Sequence, residues 1–61
     1  MGIKERRKAL NMSQEELANK SGVTRVAISR YENNERKPSV FIAAKIARAL
    51  GCTVDDLLVE E

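Results

Sequence analysis

The segment from Ser13 to Asn33 constrains this chain more than any other. It reads SQEELANKSGVTRVAISRYEN, two short helical signals parted by one glycine. Ser13 is a good N-cap, and Glu16 follows three residues later, which makes a capping box. The spacing predicts a first helix over about 13–20, with Leu17 and Ala18 as its apolar contact. Ala18 is small enough to let a second helix cross closely. Gly22 falls where that helix must stop, because glycine takes the left-handed conformation cheaply. Val23 follows, and Thr24 caps a second helix over about 24–32. Helices this short are not stable alone, so the pair must be held by its neighbours.

The second helix has two faces. At about 100° per residue, Ala27, Ile28 and Tyr31 gather on one side. Arg25, Val26, Ser29, Arg30 and Asn33 gather on the other. The outward face therefore carries two guanidinium groups, a hydroxyl, an amide and one methyl-bearing side chain. These are the groups that read base edges in a DNA major groove.

The segment resembles the helix-turn-helix of phage repressor and Cro proteins, the lambda-repressor-like (XRE) DNA-binding family. Gln14, Leu17, Ala18, Gly22, Val23, Ile28, Tyr31 and Glu32 match at the family's spacing. Pro38-Ser39 and the run from Ile46 to Gly51 match further on, so the likeness extends from Ile3 to Leu58. It implies an all-α fold, a compact bundle of about five short helices in which helices 2 and 3 form the helix-turn-helix. It also implies a sequence-specific regulator of transcription, by default a repressor, that binds double-stranded DNA as a homodimer. Recognition helices would then lie about 34 Å apart on an inverted repeat.

The resemblance assigns roles by position. Arg25, Val26, Ser29 and Arg30 become candidate base readers, with Val26 suited to a thymine methyl. Gln14, Thr24, Asn33, Arg36 and Lys37 become candidate phosphate contacts, which set register without reading sequence. The counterpart of Gln14 also braces the recognition helix. Arg7 would pair with Glu32 and fasten helix 1 to helix 3; if buried, losing one partner would cost about 3–5 kcal/mol. The dimer contact of similar repressors lies near the last helix. Phe41, Ile42, Val54, Leu58 and Val59 are the candidates here. Glu15 and Glu16 would be the residues to touch RNA polymerase. Three positions depart from the usual pattern: Arg6 in an often apolar slot, Asn34 in place of glycine, and Cys52 in place of an aliphatic residue. Asn tolerates the left-handed conformation next best after Gly.

Around this segment the signals are weaker. Met1 to Leu10 reads as a first helix with thin apolar content in Ile3, Ala9 and Leu10. Met12 reads as core. Ser39 caps a fourth helix whose apolar face is Val40, Ala43, Ala44, Ile46, Ala47 and Leu50, with Phe41, Lys45 and Arg48 opposite and Gly51 as the stop. Thr53 caps a last short helix with Asp55 and Asp56 in its first turn. Of Leu57 and Leu58, one must point inward.

Composition narrows the function classes. Sixty-one residues make one small domain, 1–61. The net charge is only +2. Its distribution is uneven: residues 1–37 hold nine basic against five acidic residues, and 38–61 hold two against four. The positive side thus coincides with the helix-turn-helix. Tyr31 and Phe41 are the only aromatic residues, few for a protein that stacks single-stranded bases. The lone cysteine forms no internal disulfide, and with no leader in view a reducing cytoplasm is expected. No apolar run approaches membrane-spanning length. There is no histidine, no glycine-rich phosphate loop and no metal spacing, so neither a cofactor, a metal nor an enzyme is expected. The rival reading is a protein-interaction module, such as an antitoxin that holds a toxin partner on the same fold.

Overall fold

The computed structural model describes residues 2–58. Among them the chain forms five helices and no strand: α1 Ile3–Ala9, α2 Gln14–Ser21, α3 Arg25–Glu32, α4 Val40–Leu50 and α5 Val54–Leu58.

Local chemistry sets most of these boundaries. Ser13 Oγ accepts from the Glu16 N–H at 3.0 Å, while Glu16 Oε1 accepts from the Ser13 N–H at 3.0 Å. The bond from the Ser13 backbone N–H first, and the Ser13 side chain second, hold the Glu16 carboxyl below its ordinary range. Thr24 and Ser39 cap α3 and α4 by accepting from Ala27 and Ile42, each at 3.2 Å. Thr53 and Asp56 bond reciprocally at 3.1 Å, a second capping box, where the sequence indicated only a cap and an acidic first turn. Gly22 and Gly51 end α2 and α4 at φ 75 and φ 71.

The five helices meet in one apolar cluster. Ile3, Leu17, Ile28, Ile46 and Leu57, one from each helix, are fully buried. Burying a side chain of this size stabilises by about 1.5–3 kcal/mol. Met12 and Val23 enter the cluster from the loops before α2 and α3. α2 packs on α3 and α4, α5 packs on α4, and α1 touches both α3 and α4. The Gly2 N–H donates to the Leu57 carbonyl at 3.3 Å, which ties the start of α1 to α5. Ser21 is buried, and its hydroxyl accepts from the Val23 N–H at 3.2 Å. Cys52 is half-buried against the cluster, and burial pushes its thiol pKa up.

Two sequence expectations need correction. Val40, placed on the apolar face of helix 4, is 72% exposed, because nothing covers the first turn of α4 on that side. Leu10 and Ala9 are exposed as well, so Ile3 alone anchors α1 in the core. In the loop after α1, Asn11 takes a left-handed conformation, φ 54.

Candidate nucleic-acid interface

The orientation of α3 follows from what it buries. Ile28 and Tyr31 lock one side into the cluster. Arg25, Val26 and Arg30 are thereby turned to the surface, with Ser29 half-buried beside them. Val26 is 63% exposed. Among the described residues the one ion pair is Arg7–Glu32, so both arginines of α3 keep their donors free of carboxylate partners. Gln14, Arg25, Val26, Ser29, Arg30 and Glu35 line one shallow depression on this face.

The far end of α3 is held by a polar clamp. Arg7 Nε donates to Glu32 Oε2 at 2.7 Å and Nη2 donates to Oε1 at 3.0 Å, a two-toothed contact. Arg7 Nη1 donates to the Met12 carbonyl at 2.8 Å, which adds the loop before α2. Gln14 Nε2 donates to Glu32 Oε1 at 3.0 Å, which adds α2 itself. The paired side chains are 11% and 2% exposed. Burial works against the Glu32 charge, but the bonds from Arg7 and Gln14 outweigh it, and the carboxyl sits below its ordinary range. Glu32 in turn raises the pKa of Arg7, chiefly through their hydrogen bond. The clamp fixes the angle at which the exposed row of α3 is presented.

The phosphate candidates surround this row. Gln14 is half-buried and gives one amide hydrogen to Glu32; its second remains for an outside acceptor. Thr24 Oγ1 accepts from Ala27, and its own O–H is left to donate. Asn33 is exposed, with Nδ2 3.4 Å from Glu35 Oε2. Asn34 adopts φ 60, the left-handed turn its position calls for, and Arg36 and Lys37 follow it as exposed cations.

The candidate dimer residues scatter. Phe41 is 82% exposed. Ile42 and Val54 are half-buried and pack against the chain's own core. The Leu58 side chain and Val59 lie outside the described residues. Two members of the site escaped the sequence reading: the Met12 carbonyl, which has no sequence signature, and Glu35. A lone acid in the otherwise basic loop after α3 was the available signal for Glu35.

Two capped helices at a tight glycine turn, with a clamped second helix presenting a polar row, define a helix-turn-helix protein. A family profile described as helix-turn-helix matches residues 3–57, and the chain belongs to that family, in its lambda-repressor-like form. It is 51% identical over 49 residues to an uncharacterised HTH-type transcriptional regulator of Methanothermobacter thermautotrophicus, covering 80% of this chain and 71% of that protein. An uncharacterised HTH-type transcriptional regulator of Archaeoglobus fulgidus is 42% identical over 57 residues, covering 93% and 80% of the two chains. The cryptic phage CTXphi transcriptional repressor RstR of Vibrio cholerae is 38% identical over 61 residues, covering 93% of this chain and 54% of that repressor. No solved structure gives a match. The family is one of DNA-binding transcriptional regulators rather than enzymes. Among the described residues no helix is long and apolar enough to cross a membrane.

Proposed function

We propose that this protein is a sequence-specific repressor that binds double-stranded DNA as a homodimer on an inverted repeat. α3 enters the major groove, where Arg25, Val26, Ser29 and Arg30 choose the sequence. Gln14, Thr24, Asn33, Arg36 and Lys37 bind phosphate and set the register. The observation that carries this reading is the exposed, unpaired row of α3 above a clamp that holds the helix still. The repressor named among the relatives supports the direction of regulation. Such a repressor acts by occluding polymerase from the DNA it covers.

Selection of bound duplexes from a random library is the test. The expected product is a two-fold symmetric motif with half-sites one helical turn apart, about 10 base pairs. A library that stays random at low ionic strength would defeat the proposal.

A second reading has its own observation. Val40 and Phe41, consecutive in the first turn of α4, are 72% and 82% exposed. Large apolar side chains left exposed also suit a protein partner, as in an antitoxin that holds a toxin. Stable co-purification with the product of a neighbouring gene, lost on Phe41→Ser, would favour that reading. RNA polymerase is a further candidate partner through the exposed Glu15 and Glu16.

A further inference from the structure

The depression on the exposed side of α3 contains one acidic group. Glu35 lines it together with Gln14, Arg25, Val26, Ser29 and Arg30. Its place is fixed by the backbone. Asn34 turns the chain back through φ 60, and the Glu35 N–H then donates to the Arg30 carbonyl at 2.9 Å. The carboxylate itself is nearly uncommitted. Its contact with Asn33 Nδ2, at 3.4 Å, is longer than an ordinary N–H···O bond of about 2.7–3.2 Å. It forms no ion pair with Arg25 or Arg30, since Arg7–Glu32 is the one pair among the described residues.

The chemistry of this arrangement is uneven in a useful way. The guanidinium groups of Arg25 and Arg30 can only donate, which matches guanine O6 and N7. An ionised carboxylate can only accept, and the exocyclic N4 amine of cytosine is the donor that carboxylates take in the major groove. A carboxylate here is also set against a polyanion, which weakens binding to every sequence unless a base contact offsets it. We infer that Glu35 is a specificity-determining residue that accepts from a cytosine N4 amine once in each half-site. This rests on the reading that α3 enters the major groove.

Two effects of opposite sign separate this role from simple repulsion. Repulsion alone makes Glu35 weaken binding to all duplexes equally. Base reading makes it weaken binding to random duplex but strengthen binding to sites with the right cytosine. The test is library selection with the wild-type chain, Glu35→Ala and Glu35→Gln, followed by affinity measurements on single-position variants of the selected site. Circular dichroism confirms that the variants fold, as expected for an exposed side chain. The expected result is a wild-type cytosine preference of about tenfold at one position, lost in Glu35→Ala. In Glu35→Gln the preference at that position moves toward adenine, the base an amide pairs with. Both variants bind random duplex more tightly than wild type. An unchanged motif in both variants, with affinity raised equally on all sequences, overturns the inference and leaves the repressor reading standing. A wild-type chain that selects no motif overturns both.

Discussion

Arg7→Ala attacks the contact that holds α3 at its angle. The change removes three donors: Nε and Nη2 from Glu32, and Nη1 from the Met12 carbonyl. Glu32, whose side chain is 2% exposed, keeps only the amide of Gln14. Removing one partner of a buried ion pair costs about 3–5 kcal/mol, because the other charge stays buried and unmatched. At about 0.05–0.15 kcal/mol per residue, a chain of 61 residues has roughly 3–9 kcal/mol in all. The variant should therefore lose at least about a third of its stability. With a denaturant slope of about 1 kcal/mol per molar urea, the midpoint should fall by about 3–5 M. Urea titration followed by far-ultraviolet circular dichroism measures this directly. Arg7→Lys, which keeps the charge but not the fork, should fall between wild type and Arg7→Ala. A loss below about 1 kcal/mol, the worth of a solvated surface pair, would refute the buried clamp. The same clamp fixes a pH dependence. Glu32 titrates below its ordinary value of 4.5 in the folded state, so its contribution is complete above that pH and is lost as pH falls through the folded value. Acid titration of wild type should show this loss below about pH 4.5. Arg7→Ala should show a shallower one.

Other perturbations test separate parts of the account. Arg25→Ala should cost about 1–3 kcal/mol on the selected site and relax preference at one base position; equal losses on specific and random duplex would remove it from the base readers. Lys37→Ala should weaken both kinds of duplex and flatten the salt dependence by about one unit, read from binding at several ionic strengths. Gly22→Ala should lower thermal stability by about 1–2 kcal/mol through backbone strain at φ 75 alone, since the added carbon meets nothing within 4 Å. Phe41→Ser should leave the melting temperature nearly unchanged while lowering self-association in sedimentation, if this face joins two copies.

What was legible in the sequence was mostly what is local. Ser13 with Glu16, Thr24, Ser39, Gly22 and Gly51 act within three or four residues of themselves, so their residue types state the helix ends without knowledge of the fold. The left-handed turn at Asn34 is implied by the family likeness, in which glycine is usual there, whereas Asn11 takes the same conformation with no such signal. The inward side of α3 was legible too, because Ile28 and Tyr31 repeat with the helix period. Val40 repeats with that period as well, yet it lies on an uncovered first turn; periodicity gives a direction, not a neighbour. The same limit applies to Ile42 and Val54, candidates for a contact between copies that are partly covered by their own chain. Within the clamp, Arg7 and Glu32 are 25 residues apart and were reached through family likeness, not through spacing. The Met12 carbonyl and the placement of Glu35 in the α3 depression belong to the backbone path, which no side-chain pattern encodes.

The most direct test of the claim that α3 reads the major groove is methylation interference at guanine N7, which lies in that groove, on a selected duplex. The account predicts two short clusters of interfering guanines about 10 base pairs apart, centre to centre, and the loss of one guanine from each cluster with Arg25→Ala. Binding that is indifferent to N7 methylation, with interference confined to minor-groove positions, would contradict it.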